Sequence, residues 1–324
     1  MPHSSLPLLH REIADWYRSN ARTLPWREES ATPWAIMVSE FMLQQTPVVR
    51  VLPVWESWMK RWPTPADLAA EPVAEALKAW GRLGYPRRAL RLHAAATLIA
   101  EEYDGHVPGT EAQLLALPGV GTYTAAAIAC FAFKKPTVVV DTNIRRVHAR
   151  LISGKALPEQ NQNAAELALA AQLLPASSDL ANTWNIGVME LGALVCTARS
   201  PRCEDCPVFT QCAWIAAGRP EPHYVPKGQP WHGTDRQVRG AMMAVLRSST
   251  LPVARADLLG TPDLGVSHGR AQIGALTRVG DPTHEAWVSL HSLPAELAQR
   301  ERALNSLVAD GLAQQDATGI SLPA

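Results

Sequence analysis

The chain is poor in cysteine, has no excess of either charge and contains no long apolar run. Five cysteines in 324 residues are too few for a small secreted scaffold stapled by disulfides. Lysine plus arginine equals aspartate plus glutamate, at 30 each. Binding to a polyanion through net charge is thereby excluded, and contact with nucleic acid would need local patches and backbone donors. No apolar stretch approaches the roughly 18 residues that span a bilayer, and residues 1–19 lack the basic-then-apolar pattern of a signal peptide. A folded, soluble, cytoplasmic protein with no membrane partner is expected, because 47% hydrophobic residues suffice for one large or two ordinary cores. Strand-like alternation is almost missing between residues 8 and 217. There, apolar residues recur at helical period between short breaks marked by Pro or Gly, which predicts an all-α region.

Four of the five cysteines crowd into one loop: Cys196, Cys203, Cys206 and Cys212, with six, two and five residues between them. Four thiolates without a histidine suit a structural zinc or an iron–sulfur cluster, since both accept tetrahedral sulfur. The spacing by itself leaves both open. Nine of the 11 Trp precede residue 215, and Trp55, Trp58 and Trp62 at helical spacing point to core packing. Residues 218–235 are rich in Pro and Gly and read as a linker between a region at 1–217 and a tail at 236–324. In the tail, helical segments at 236–248, 255–260 and 294–312 precede a short ending that can form a hairpin. That order is expected of a small α or α+β module resembling a winged helix.

Three stretches carry candidate chemistry. Residues 110–133 read as a helix, the turn Leu117-Pro118-Gly119-Val120-Gly121 and a second helix capped by Thr122. Glycines at 119 and 121 permit positive φ and bare the amides of the second helix to a phosphate oxygen, although an ordinary helical corner would look the same. Asp141 follows the apolar run Val138-Val139-Val140 and precedes Thr142-Asn143-Ile144, the position of a helix N-cap. Arg145, Arg146 and Arg150 beyond it read as a solvated face. Glu40 lies in residues 36–46, a helix expected to end before Pro47. Its apolar neighbours would desolvate the carboxyl, raise its pKa and let it carry a proton near neutrality, as a general acid must; an arginine partner is the alternative. Gln44 and Gln45 follow at the helix end.

Taken together, VSEFMLQQTPV at 38–48, LPGVG at 117–121, VDTNIRRV at 140–147 and the cysteine loop resemble the helix-hairpin-helix DNA glycosylases, and among them the MutY-type adenine DNA glycosylases. The resemblance covers residues 8–217. It implies a six-helix barrel with the hairpin, plus a lobe bearing a [4Fe–4S] cluster on the four cysteines. It implies a monomer acting on double-stranded DNA that contains mispaired adenine. By the same resemblance Glu40 protonates the adenine, Asp141 stabilises the cationic sugar, Asn143 stands beside that aspartate and Tyr123 lies near the sugar. The bifunctional endonuclease III-type relatives carry a lysine at Tyr123, so an enzyme without lyase activity is implied. Gln45 and Tyr85 match residues that enter the duplex when the base is flipped, Gln44 adjoins them, Gly119 and Gly121 form the phosphate turn, and Trp26 and Arg27 line the base pocket.

This chain also departs from that pattern. Pro86 replaces a common second tyrosine, and Ile186 stands where a Gln or Glu is expected. The tail has neither of the motifs of the NUDIX-like domain that reads 8-oxoguanine in typical members; Val266-Ser267-His268 is only a faint echo. A thymine-specific relative and a non-catalytic iron–sulfur DNA-binding protein are the alternatives.

Overall fold

The computed structural model describes residues 6–226, 228–260 and 281–324; Val266-Ser267-His268 lies outside them. The chain divides into two compact units. The first joins Met1–Glu40 to Val107–Lys227, and the second joins Phe41–His106 to Gly228–Ala324.

The first unit contains helices and no strand among its described residues. Its long helices are α1 (Leu6–Asn20), the start of α2 (Pro33–Leu43), α8 (Thr122–Phe133), α9 (Thr142–Leu151), α10 (Ala164–Leu173) and α11 (Ser178–Leu194). Local chemistry sets several starts: Asn163 accepts from Glu166 N at the head of α10, and Thr110 accepts from Gln113 N at the head of the short α7 (Glu111–Leu115). Helix α11 packs on α1 and α9 through Leu9, Ile13, Ile144, Val147, Trp184, Val188 and Leu191, all buried. Close approach depends on small residues. A Cβ on Gly187 would lie 2.9 Å from Ile13 Cγ2, and one on Gly192 would lie 2.8 Å from Asn143 Cβ.

The second unit holds α3 (Val48–Arg61), α4 (Pro65–Ala69), α5 (Val73–Trp80), α6 (Arg87–Glu102) and the tail. The tryptophans expected in the core are there. Trp58 meets Trp62 and Trp80 edge-on at ring distances of 4.8 and 5.6 Å, a favoured aromatic geometry. In the tail, α13 (Asp235–Ser248) packs on α15 (Pro282–His291) and α16 (Leu297–Ala309), with α14 (Arg255–Leu259) between them in sequence. Strands β1 (Gln314–Asp316) and β2 (Gly319–Ser321) pair antiparallel, and Val253 bridges to Ile320 on the other side of β2. Among the described residues of the tail, a helix, a bridging residue, helices and a terminal hairpin follow one another. Gly319 is required at the hairpin: its φ is +144, and a Cβ would come within 2.7 Å of Val253 O.

Candidate active site

Glu40 sits on the penultimate turn of α2, in the run Met37-Val38-Ser39-Glu40-Phe41-Met42 whose members are all buried. Tyr123, in the first turn of α8, donates its hydroxyl to Glu40 Oε2 at 3.1 Å. Burial pushes the Glu40 carboxyl up to about 7; Tyr123 and the Arg27 guanidinium pull it down, and the Asp141 carboxylate adds to the rise. Burial is therefore the deciding influence. The alternative of an arginine partner is not what the fold builds, since Tyr123 supplies the hydrogen bond and Arg27 acts only through its field. Burial, with Glu40 and Asp141 behind it, also drives the Tyr123 phenol well above its usual range, so it remains a donor.

Asp141 is the N-cap of α9. Its Oδ1 accepts from Ile144 N at 2.7 Å, and its Oδ2 accepts from Asn143 Nδ2 at 2.8 Å. Burial raises this carboxyl too, held back by those two donors. Asn143 is fixed in turn: Arg146 Nη2 donates to Asn143 Oδ1 at 2.8 Å and to Gly192 O at 2.6 Å, while Arg146 Nε donates to Cys196 O at 2.8 Å. Arg150, one turn on, donates to Thr197 O at 2.7 Å and Ala198 O at 3.1 Å, and its Nη1 lies 3.4 Å from Cys196 Sγ. Arg146 and Arg150 are 9% and 4% exposed, and Arg145 pairs with Glu166 at 2.6 Å. The expected solvated face is thus a set of buried tethers, because α9 lies between α11 and the cysteine loop, whose carbonyls need donors.

At the hairpin turn only Gly119 takes a positive φ, of +79. Gly121 is extended and is itself the N-cap of α8, so Thr122 is the first helical residue rather than the cap. No side chain caps α8, and a Cβ on Gly121 would meet nothing within 4 Å. The first amides of α8 therefore remain open to an oxygen ligand.

Trp26 is buried in a short turn, Pro25–Arg27. Arg27 Nη2 donates to Glu190 Oε2 at 2.9 Å, and the same carboxylate takes Arg22 Nη2 at 2.7 Å, Arg22 Nε at 2.8 Å and Arg22 N at 3.0 Å. Arg27 Nη1 is buried with no partner. The sequence reading passed over Glu190, although the signal that singled out Glu40, a carboxylate inside an apolar helical run, is present in Gly187-Val188-Met189-Glu190-Leu191-Gly192. Ile186 lies one turn before it on α11.

In the second unit, Gln45 and Tyr85 both hold left-handed backbone, with φ of +56 and +46, and Tyr85 is exposed. Pro86 is the N-cap of α6. Gln44 lends its carbonyl to Arg88, a residue also missed from sequence.

The four loop cysteines ring one small cavity with Arg150, Val195, Phe209 and Trp214. Burial, reinforced by the other three thiols, pushes the Cys206 thiol up to about 12. Four sulfurs around one apolar-walled cavity with an adjacent arginine suit a cluster of net negative charge.

Residues 38–172 match the HhH-GPD superfamily of base excision DNA repair proteins, and residues 196–212 match the iron–sulfur binding domain of endonuclease III. Over 308 residues the chain is 47% identical to an adenine DNA glycosylase of Mycolicibacterium smegmatis, covering 95% of this chain and 93% of that one. This chain belongs to the adenine DNA glycosylase family. Its mycobacterial match takes in the tail, whereas the human adenine DNA glycosylase is 41% identical over 209 residues, 62% of this chain and 38% of that protein. The solved structure of a thermostable thymine-DNA glycosylase, 29% identical, covers 66% of this chain and 98% of its own at a TM-score of 0.60. As a glycosylase of this family the chain is a DNA-binding repair enzyme, and its cofactor is the [4Fe–4S] cluster that goes with the iron–sulfur motif at residues 196–212. No described helix is long and apolar enough to cross a membrane.

Proposed function

We propose that the chain hydrolyses the N-glycosidic bond of adenine mispaired with 8-oxoguanine or guanine in double-stranded DNA, as a monomer and without strand cleavage. The observation that carries this reading is the Glu40 carboxyl, 6% exposed and still half-protonated near pH 7. A proton given by Glu40 to a ring nitrogen of the extruded adenine lets the bonding electrons leave with the base. The cationic sugar is then stabilised by Asp141, and a water adds to it. Asn143 holds Asp141 in place. Tyr123 has no amine for a Schiff base, which supports hydrolysis without lyase chemistry. Trp26 and Arg27 wall the base pocket, the amides after Gly119 and Gly121 take a phosphate, and Gln45 and Tyr85, beside Gln44, enter the duplex. The cluster fixes the loop that Arg146 and Arg150 grasp.

We further propose that residues 1–217 form the catalytic region and that the module at 236–324 replaces the missing reader of 8-oxoguanine. Thymine opposite guanine is the competing substrate, favoured by the likeness to the thymine-DNA glycosylase. Glu40 weighs against it, because protonation assists departure of a purine more than of thymine. Single-turnover assays with adenine opposite 8-oxoguanine, adenine opposite guanine and thymine opposite guanine decide the matter. Release of adenine from the first two is expected, and release of thymine alone would overturn the reading.

A further inference from the structure

Two short turns of the second unit carry non-glycine residues in left-handed backbone, Gln45 with φ +56 and Tyr85 with φ +46. Such a conformation is unfavourable for a residue with a side chain and persists only where its surroundings over-determine it. A single buried side chain does this for both turns. Arg88, in the first turn of α6 and 6% exposed, donates through Nη1 to Phe41 O at 2.9 Å, Met42 O at 2.9 Å and Gln44 O at 2.5 Å. Through Nη2 it donates to Thr46 Oγ1 at 2.9 Å and Gly84 O at 3.0 Å. Its guanidinium lies over the rings of Trp80 and Tyr85, 5.1 and 5.6 Å from their centroids. The contacts therefore bracket Gln45 on both sides and reach Tyr85 by its ring and by the carbonyl before it. Thr46 adds a second tie, donating to Leu83 O at 3.3 Å.

Arg88 makes no ion pair with any described acid, and burial draws its guanidinium down to about 10. A cation kept in a buried site without a carboxylate costs stability, so its retention needs a reason beyond stability. The planar fork explains why the residue is arginine: its donors diverge in one plane and can face two carbonyl rims at once, which a lysine ammonium cannot do.

We infer that Arg88 is a positioning residue that locks the Gln45 and Tyr85 turns together as one preformed wedge for base extrusion. The inference rests on the proposed entry of those two residues into the duplex. A wedge held rigid before binding spares the protein the cost of ordering two turns while a base is being forced from the stack.

The test uses the full chain as wild type, R88K and a Q45A/Y85A double variant, with duplexes carrying 2-aminopurine beside the mispaired adenine. Extrusion is read by fluorescence, base release by single-turnover kinetics and folding by thermal melting. R88K is expected to extrude and excise about tenfold more slowly. The deficit should shrink on a duplex loosened by flanking mismatches, where less stacking opposes extrusion. Wild-type extrusion by folded R88K, or an equal deficit on the loosened duplex, overturns the inference. Should R88K fail to fold, T46V carries the test, because it removes the hydroxyl shared by the two turns, and unaltered extrusion by T46V overturns the inference. A Q45A/Y85A variant that extrudes adenine like wild type overturns the wedge reading itself, which separates the two failures.

Discussion

Two glutamates of the first unit are both buried yet driven in opposite directions. Glu40 is 6% exposed and Glu190 0% exposed. Burial carries Glu40 up to about 7, with a tyrosine hydroxyl and the field of Arg27 too weak to offset it. Burial acts on Glu190 as well, but Arg22 and Arg27 override it and hold that carboxyl at about 2. The first is built to surrender a proton near neutrality and the second never to take one. Partner chemistry, more than burial, separates the two carboxyls. The two are also coupled, because Arg27 is shared between them: it bonds Glu190 and lowers Glu40 through its field.

The largest effect expected is from removing the acid. Replacing Glu40 with Gln should slow single-turnover adenine release by about 10²–10⁴-fold. In the wild type the rate should fall as pH rises through about 7, where Glu40 loses its proton. The same substitution should stabilise the protein at alkaline pH. Folded Glu40 holds a proton that the unfolded chain has lost between its ordinary 4.5 and about 7, so stability declines across that window. A gain on the order of 3 kcal/mol at pH 8, vanishing below pH 4, follows from that shift and should appear in denaturant melts. Equal stability of wild type and E40Q at pH 8 would show that Glu40 is not held protonated.

Asp141→Asn should reduce base release by about 10²–10³-fold while leaving duplex affinity near that of the wild type, since the N-cap survives as an amide. A parallel loss of affinity would place Asp141 in binding instead.

Glu190→Gln breaks the comparison from the other side. Removing one partner of a buried ion group costs about 3–5 kcal/mol. Arg27 then keeps its full charge beside Glu40, and the alkaline limb of the rate profile should move down by about one pH unit. In wild type the stability due to Glu190 is present above about 4.5 and is lost only as pH falls towards 2. A limb that stays in place in E190Q would uncouple the two glutamates.

The smallest effect concerns Ile186, one turn before Glu190. Ile186→Gln should change the preference for adenine over other bases by less than about tenfold, because a single added polar contact at a half-buried site contributes about 1 kcal/mol. Competition between duplexes measures it.

Much of this was legible without coordinates. Helical period across residues 8–217, the capping role of Asp141 and the apolar setting of Glu40 are all local patterns, and the structure repeats them. What escaped was of two kinds. The arginines of α9 read as solvated because a helix with several charges usually faces water; the cysteine loop that covers them is contributed by residues about 50 positions away. Glycines at 119 and 121 both permit positive φ, yet the turn uses that freedom only at Gly119, and at Gly121 it uses the absence of a side chain.

The sequence by itself determined which groups are available: a carboxyl in a greasy helix, an aspartate at a helix head, a tyrosine in place of a lysine and four thiols in one loop. Only the tertiary structure decided what each group does. The Tyr123–Glu40 bond joins residues 83 apart, the Arg27–Glu190 pair joins residues 163 apart, and Arg88 reaches 42 to 47 residues back to one turn and four to the other. Periodicity and capping act over one or two helical turns, whereas a pKa or a clamped loop depends on the field and donors that packing brings from far along the chain.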